Sequence, residues 1–285
     1  MASFLDKLKP IELADNQEVK DKFLNVYMKI HKQDLENADA FYEKEKGYFK
    51  QAVLDPESKL TECTIISLYS AFMEIAINGL SIKKQGKAEA YIEAKNQKIK
   101  SDKGDVYVKV AKLVIQTHGE LLLRKRAGQL LHVSNPVIVY EGDEFQPKMK
   151  DGVMVIDYTP SIPRKSNTIV GSFCKLHLPH GIIDWKWLLK EDIQRFQNAS
   201  IKMLKNEKGN ALYTSGVDGQ IDVGFLETKT IKHAMNTLGR FRVDSSAVMI
   251  EDDNDSEEMT FAEPNETQSQ SQSEENPIDN PDNPF

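Results

Sequence analysis

The chain has 285 residues, 40% of them hydrophobic, and a formal net charge of −7. This length suits one large or two small domains with an ample core, and the hydrophobic fraction is that of an ordinary soluble protein. No stretch reaches the roughly 18 apolar residues that span a bilayer, and the start, MASFLDKLKP, shows no signal-peptide pattern. Cys63 and Cys174 lie far apart within apolar patterns, which argues against a disulfide framework and for a reducing compartment. We therefore expect a cytoplasmic protein with no membrane partner.

The overall charge conceals two parts of opposite sign. Residues 244–285 carry thirteen acids and no lysine or arginine, which leaves 37 basic and 31 acidic residues, a net charge of +6, in residues 1–243. Acids, Ser, Gln, Asn and Pro dominate the last segment, so it cannot bury enough apolar surface to offset the entropy of ordering. We expect residues 244–285 to be a disordered acidic tail on a mildly basic body.

The N-terminal part of the chain is predicted to be helical. Residues 16 to about 54 read as two polar helices, with Asp34 as the N-cap of the second and Asp55-Pro56 at its end. The most apolar segment, Thr64–Leu80, predicts a central buried helix that stops near Asn78-Gly79.

A β-hairpin is predicted next. Residues 88–100 and 105–115 flank a Ser-Asp-Lys-Gly link, and valines alternate with other residues in the second segment. A helix follows from Glu120 to about Leu131, with Gly128 in its last turn.

The second half mixes short strands with helices, in an α+β arrangement. The predicted elements are strands at 137–140, 153–157, 169–178 and 182–187, an amphipathic helix at 188–200, a flexible loop at 205–220 and a last helix at 223–240. We expect three regions: a helical N-terminal part (1–59) for oligomerisation or packing, a core of antiparallel hairpin and sheet packed with helices (60–243), and the tail (244–285).

Basic residues cluster on the predicted hairpin, on the helix after Gly119 and on the last helix. Such clusters attract phosphate backbones through counterion release, without reading base sequence. The alternative is a solvated lysine surface, which three clusters beside a detached acidic tail make less favourable. Tyr91 and Tyr107 among the lysines suit base stacking or packing on a sheet face. The candidate nucleic-acid contacts are Lys84, Lys87, Lys95, Lys109, Arg124, Lys125, Arg126, Lys229, Lys232 and Arg240.

Other constellations give weaker signals. Trp185 and Trp187 share one side of a predicted strand, either as stacking platforms or, more in keeping with tryptophan, as core residues. Cys174, His177 and His180 are spaced three apart, but a strand followed by a turn does not bring them together, so we expect no metal site. No P-loop, GxSxG, HExxH or GxGxxG motif occurs. We expect no enzyme chemistry and no cofactor, with a Mg²⁺ requirement left open.

Several segments together resemble the RecT family of phage single-strand annealing recombinases. Thr64–Ala94 is similar to the opening of that family, and Arg126-Ala127-Gly128 followed by Pro136–Phe145 is the strongest match. Trp187–Ser200 resembles the family's next strand-helix unit, and Lys229-Thr230-Ile231 its last helix. The resemblance covers about residues 60–240.

This resemblance implies an α+β protomer that assembles into rings or helical filaments, holds single-stranded DNA in a positive groove and anneals complementary strands without ATP. Two positions depart from the family pattern. His118-Gly119-Glu120 stands where the family usually has Gly-Tyr-Lys-Gly, and His233 stands where an arginine is common.

The end of the tail carries a separate resemblance. Residues 279–285, Asp-Asn-Pro-Asp-Asn-Pro-Phe, are similar to the acidic Pro-Phe tip with which bacterial single-stranded DNA-binding proteins dock on replication and repair partners. The alternative is an ordinary solubilising tail. The implied docking residues are Asp279, Asp282, Pro284 and Phe285, with replication or repair proteins, an exonuclease among them, as partners.

Three hypotheses follow. The leading one is an annealing protein of the bacterial cytoplasm whose tail recruits host partners or competes with DNA for its own basic groove. The second is a replication-type protein on the same fold that coats single-stranded DNA without annealing it. The third is an adaptor or structural protein that binds no DNA.

Overall fold

The computed structural model describes residues 5, 7–84, 86–101, 104–150, 152–204, 209–239, 242–243 and 248–249. The predicted disordered tail and its docking tip therefore lie outside the described residues, apart from one residue pair.

The predicted α+β class is confirmed. The helices are α1 (Gln17–His31), α2 (Leu35–Leu54), α3 (Ile65–Asn78), α4 (Thr117–Arg126), α5 (Lys190–Leu204) and α6 (Val223–Met235). The strands are β1 (Ala90–Ser101), β2 (Gly104–Ile115), β3 (His132–Val133), β4 (Val137–Tyr140), β5 (Glu144–Lys150), β6 (Val153–Thr159), β7 (Ile169–His177), β8 (Ile183–Leu189), β9 (Arg242–Val243) and β10 (Val248–Met249). None of these helices combines the length and the apolar character needed to cross a membrane.

Side chains just before α1 and α2 fix where these helices begin. Asn16 accepts hydrogen bonds from the backbone N–H groups of Glu18 (3.0 Å) and Val19 (3.2 Å). Asp34 accepts one from the N–H of Asn37 at 2.8 Å. Each cap satisfies donors that have no partner inside the helix, which stabilises the fold by roughly 1 kcal/mol. The two predicted helices and the Asp34 cap are confirmed.

Helix α3 forms the centre of the N-terminal core, as predicted. Thr64 caps its start, and Gly79 ends it in the left-handed conformation at φ +59°. Phe72 is fully buried between Phe23 and Phe49, with ring centroids 5.0 and 4.8 Å away. Burial of one such side chain stabilises the fold by roughly 1.5–3 kcal/mol, so α1, α2 and α3 hold one another in place.

A buried carboxylate sets the path of the chain after α3. Glu45 of α2 is fully buried and accepts hydrogen bonds from the Ser81 hydroxyl (2.8 Å) and the Ile82 N–H (2.9 Å). Burial raises the pKa of Glu45, and these donors partly offset that effect. The link between α3 and β1 is thereby attached to α2.

The predicted hairpin is confirmed as β1 and β2, which pair antiparallel with Ala94 opposite Ala111. Side chains directly opposite one another share a face of the hairpin. The face that carries this pair also carries Ala90 and Ile92, which are buried against the N-terminal helices. The side chains between them therefore form the other face, which we name the outer face.

Helix α3 also covers the edge of β2 that β1 leaves unpaired. The Thr64 N–H donates to the Lys109 carbonyl at 3.0 Å, and the Ala111 N–H donates to the Ser67 hydroxyl at 2.9 Å. The hairpin is therefore fixed to the N-terminal helices by hydrogen bonds as well as by apolar packing.

Helix α4 begins three residues and ends five residues earlier than predicted. At its start, the Gln116 N–H donates to the Glu89 carbonyl at 2.8 Å, which attaches the helix to the base of β1. At its end, Gly128 adopts φ +69°, and its N–H donates to the Lys125 carbonyl at 3.1 Å. A glycine in this conformation closes the helix, which explains the earlier end.

The second half of the chain is built around β7. Strands β3 and β4 pair with one edge of β7 and β8 with the other, all antiparallel. Helix α6 packs across one face, where the hydroxyls of Ser172 and Thr230 lie 2.6 Å apart. Leu226 of α6 packs there with Ile138 and Leu188.

Strand β5 is absent from the prediction because its sequence, EFQPKMK, contains Pro147 and shows little apolar alternation. It pairs with β6, which places Phe145 opposite Tyr158. Both rings pack on Phe173 of β7, with centroids 5.6 and 5.2 Å away. The contact with β7, rather than local preference, stabilises this hairpin.

Two expectations for the region after α5 are wrong. The described part of the predicted flexible loop, residues 209–220, forms two 3-10 turns and buries Tyr213, whose ring packs edge-on against Phe225 at 5.1 Å. The Gln220 side chain accepts a hydrogen bond from the Ile169 N–H at 2.7 Å. The polar and glycine-rich composition predicts a flexible loop, but the buried Tyr213 ring and the Gln220 hydrogen bond fix this segment against the sheet and α6. Helix α6 ends at Met235, before the predicted Arg240.

The two cysteines are free and buried. Burial raises the pKa of Cys174 to about 12, so its thiol stays protonated at neutral pH.

Replacing Gly119 by alanine should destabilise the protein. An alanine Cβ there would lie 2.2 Å from the Glu89 carbonyl oxygen, a backbone atom that cannot turn aside. We expect Gly119→Ala to lower the free energy of unfolding by about 2–3 kcal/mol in urea titrations. As a control, Gly47→Ala adds a methyl group on α2 with no atom within 4 Å and should raise it by about 0.5–1 kcal/mol. Equal stability of the Gly119 variant and wild type would contradict this close approach.

Candidate nucleic-acid interface

The hairpin register separates lysines that the sequence groups together. Lys95 lies opposite Val110 on the outer face, whereas Lys109 lies opposite Asn96 on the face that packs against the helices. Tyr91 and Lys112 are also on the outer face, and Tyr91 is 39% exposed. The outer face therefore combines basic side chains with an accessible aromatic ring and one acid, Glu93, whose carboxylate lies 3.5 Å from the Lys95 ammonium group.

Helix α6 brings further lysines next to the outer face. Burial and the neighbouring Glu93 raise the pKa of Tyr91, while the charge of Lys232 opposes that shift, so Lys232 lies near the ring. Lys229 lies one turn earlier, with its ammonium group 5.3 Å from the centroid of Phe225.

Helix α4 adds a third group of charges at the base of the hairpin. His118 is exposed, and its pKa is lowered by partial burial and by the charges of Lys87 and Lys125. Both lysines are exposed. Helix α4 packs against both β2 and α6, so the three groups adjoin one another. We name this set the basic surface: Lys87, Lys95, Lys112, Lys125, Lys229 and Lys232, with Tyr91 and His118.

Arg124 is not part of the basic surface. It is only 6% exposed, and its guanidinium forms an ion pair with Glu120 at 2.6 Å. It also donates to the Gln129 side chain (3.0 Å) and to the Gly239 carbonyl (3.1 Å). Its charge is used inside the protein, where it joins α4 to the chain that follows α6.

Arg126 points towards the N-terminal helices. Its guanidinium donates to the carbonyls of Asn78 and Gly79, each at 3.1 Å. A cation at these carbonyls satisfies acceptors at the C-terminus of α3 and interacts favourably with the negative end of the helix dipole. The sequence cluster 124–126 therefore divides into the internal Arg124, the exposed Lys125, and Arg126, which is also exposed but bonds to the end of α3.

The remaining predicted contacts lie elsewhere. Lys84 forms an ion pair with Asp55, and Lys109 forms one with Glu62, so both charges are paired with acids of the N-terminal part. Arg240 and the predicted docking residues Asp279, Asp282, Pro284 and Phe285 lie outside the described residues.

Trp185 and Trp187 share one side of β8 and pack with Phe173, whose ring centroid lies 5.9 Å from that of Trp185. Lys175 places its ammonium group 4.3 Å from the Trp185 centroid. This arrangement favours the core interpretation of the tryptophans over the stacking platform.

Cys174 and His177 lie on opposite faces of β7, because three residues separate them on a strand. His177 packs instead beside His132, with ring centroids 5.5 Å apart. Within the described residues, no group of three or more His, Cys, Asp or Glu side chains is placed to hold a metal ion.

The segment that gives the strongest resemblance has a structural role. Asp143 accepts hydrogen bonds from the N–H groups of Tyr140 (2.9 Å) and Ser161 (2.8 Å) and from the Tyr158 hydroxyl (3.0 Å). Burial alone would raise the pKa of Asp143, but these donors bring it below its usual range. The Tyr-Glu-Gly-Asp run thus closes the turn between β4 and β5.

The two departures from the family pattern differ in position. Gly119 faces the Glu89 carbonyl next to the basic surface. His233 is half-buried beside Phe196, 6.2 Å between ring centroids, and burial lowers its pKa. Asp192 and Arg195 of α5 are the charges next to it, so His233 belongs to the contact between α5 and α6.

His118 and Lys112 belong to the basic surface but are missing from the predicted contacts. The sequence places Lys112 within a lysine run, yet only the register shows that it shares a face with Lys95. No local sequence pattern marks His118. The lysines near it are Lys87, which lies in the link before β1, and Lys125, which lies further along α4.

Alanine at two adjacent positions of α4 should have opposite consequences. Arg124→Ala removes the guanidinium that forms an ion pair with the buried Glu120 carboxylate, and we expect a loss of about 3–5 kcal/mol in unfolding free energy. Lys125→Ala removes an exposed charge and should change it by less than about 0.5 kcal/mol. Thermal and urea unfolding of both variants measures this difference. Equal stability would show that Arg124 is not an internal anchor.

Comparison with known proteins agrees with the resemblance. The family model described as RecT family matches residues 47–221, which is more than half of the chain. This range includes the hairpin, α4 and the sheet around β7, but not α6. No curated protein matches the chain. The protein belongs to the RecT family.

Proposed function

We propose that this protein binds single-stranded DNA on its basic surface and anneals complementary strands without ATP, in phage-type homologous recombination. Membership of the RecT family supports a role in strand annealing and DNA recombination. The observation that carries the proposal is the gathering of six lysines from β1, its approach, β2, α4 and α6 around Tyr91 and His118.

The chemistry of this surface suits annealing. Lysine binds phosphate as a point charge and releases counterions, without reading bases. Bases held by their backbone remain open to pair with a second strand, and an aromatic ring such as Tyr91 stacks on any of them. Pairing requires no covalent step, which agrees with a sequence that lacks a P-loop.

The proposal includes partners and place. The first is single-stranded DNA and the second its complementary strand. The protein acts as a homo-oligomer, ring or filament, in the cytoplasm of a bacterial host, and residues 279–285 dock replication or repair proteins.

One sequence feature favours the second candidate, a protein that coats single-stranded DNA without annealing it. The tail ends in Asp-Asn-Pro-Asp-Asn-Pro-Phe, which resembles the tip of strand-coating proteins. Both candidates use the same basic surface, so DNA binding alone does not separate them.

Mixing two complementary labelled oligonucleotides with the full-length protein, without ATP, separates the candidates. We expect pairing to be faster with protein than without it. Tight binding of single strands with no gain in pairing rate would leave the coating candidate. Absence of salt-sensitive binding to single-stranded DNA would leave the adaptor.

Two lysines from different elements test the basic surface itself. Lys125→Ala with Lys232→Ala should weaken binding to all sequences alike and reduce the slope of log affinity against log salt by about 1.4. The matched control replaces Lys7 and Lys29, which are exposed lysines of the N-terminal part, and should leave the slope unchanged. An effect limited to particular sequences, or equal effects of both pairs, would place the DNA elsewhere.

The tip gives an independent prediction. Phe285→Ala should remove capture of replication or repair proteins while it leaves the affinity for single-stranded DNA nearly unchanged, since an aromatic anchor contributes to a protein pocket and not to phosphate binding. Pull-down of host proteins by full-length wild type and variant, beside a DNA titration of each, measures both effects. Unchanged capture by the variant would contradict the docking role.

A further inference from the structure

The buried Arg124 controls where the C-terminal segment leaves the body. Its guanidinium donates to the Gly239 carbonyl at 3.1 Å while it is paired with Glu120 on the same helix. The next residue of α4, Lys125, is exposed and belongs to the basic surface. The chain therefore departs at the edge of the basic surface.

The chain then turns back on itself. Strands β9 and β10 pair antiparallel, with Met249 opposite Arg242. Arg242 is three positions after Gly239, and Glu251 is two positions after Met249. With extended spacing and one cross-strand step, Glu251 lies within about 25 Å of Gly239 along this path. This chain length limits how far from the body the acids that follow can lie.

The densest acidic run of the chain begins at that point. Residues 251–258, Glu-Asp-Asp-Asn-Asp-Ser-Glu-Glu, contain six acids in eight residues and no base. The spacing of such carboxylates along an extended chain is comparable to that of backbone phosphates, and the basic surface offers six lysines of opposite charge.

We propose that residues Glu251–Glu258 occupy the basic surface of their own chain when no DNA is bound, and that single-stranded DNA displaces them. The inference rests on the proposed function, because it makes the acidic run a competitor for the DNA site. Single strands that bind must replace carboxylates, so a strand with many phosphates displaces the run more readily than isolated anions or short oligonucleotides do.

Attachment makes this contact effective although each charge pair is weak. A segment tethered by a short link has an effective concentration in the millimolar range, so even a millimolar contact is occupied for much of the time. Added salt screens it, because the Debye length falls from about 10 Å at 0.1 M to about 3 Å at 1 M. The competition should therefore be strong at low salt and vanish at high salt.

Two full-length variants with equal changes of charge test the inference. In the test variant, each acid of the first run becomes its amide: Glu251→Gln, Asp252→Asn, Asp253→Asn, Asp255→Asn, Glu257→Gln and Glu258→Gln. In the control variant, six acids further along the tail do so: Glu263→Gln, Glu266→Gln, Glu274→Gln, Glu275→Gln, Asp279→Asn and Asp282→Asn.

Affinity for a short oligonucleotide is measured for wild type and both variants at about 0.05 M and about 0.5 M salt. We expect the test variant to bind about threefold to tenfold more tightly than wild type at low salt, with no difference at high salt, and the control variant to bind nearly as wild type does. Equal gains for both variants would show a general charge effect rather than this contact. No gain for the test variant would overturn the inference while leaving the proposed function intact. Failure of all three proteins to bind DNA would overturn the proposed function itself.

Carbodiimide cross-linking locates the contact. This reagent joins carboxylates to lysine amines that touch, and an equal mixture of ¹⁵N-labelled and unlabelled full-length protein separates links within a chain from links between chains. We expect links from residues 251–258 to Lys87, Lys125 or Lys232, within one chain, that disappear when single-stranded DNA is added. Links only between chains, or links to other lysines that DNA leaves in place, would overturn the inference.

Discussion

The buried pair of Glu120 and Arg124 is the joint on which the arrangement of the proposed site depends. Both residues lie on α4, which packs against β2 on one side and α6 on the other. Arg124 also holds the main chain at Gly239, beyond the end of α6. Removing one partner from such a pair leaves an uncompensated charge in the interior. Arg124 thus joins α4 to the chain after α6, and the packing of α4 on β2 and α6 keeps the lysines of these elements in one relative position.

Charge density alone is a poor guide to which basic residues face a ligand. Arg124, Lys125 and Arg126 are consecutive, yet Arg124 is internal, and of the two exposed residues only Arg126 bonds to the end of α3. Successive helical positions point about 100° apart, so a run of three bases cannot share a face. On the hairpin the period of two has the same effect, since it sends Lys95 and Lys109 to opposite faces. What remains is a smaller surface built from five parts of the chain: the link before β1, β1, β2, α4 and α6.

The acidic C-terminal segment and the basic body are parts of one electrostatic arrangement. The body has a net charge of +6 and residues 244–285 have thirteen acids. An exposed positive surface of this kind attracts any polyanion, and under the proposed competition a tethered acidic run would favour long ones. The proposed competition would favour strands over small anions without any reading of sequence.

The sequence by itself determined the elements whose signals are local: the buried helix from its continuous apolar stripe, the Asp34 cap, the hairpin and the opposite charges of body and tail. Only the tertiary structure decided β5, the packed turns at Tyr213, the internal role of Arg124 and the pairing of Lys84 and Lys109 with acids far away in the chain. These depend on contacts between residues distant in sequence, where burial and partner geometry outweigh local preference. Composition gives the body its net positive charge; packing decides which basic side chains are exposed.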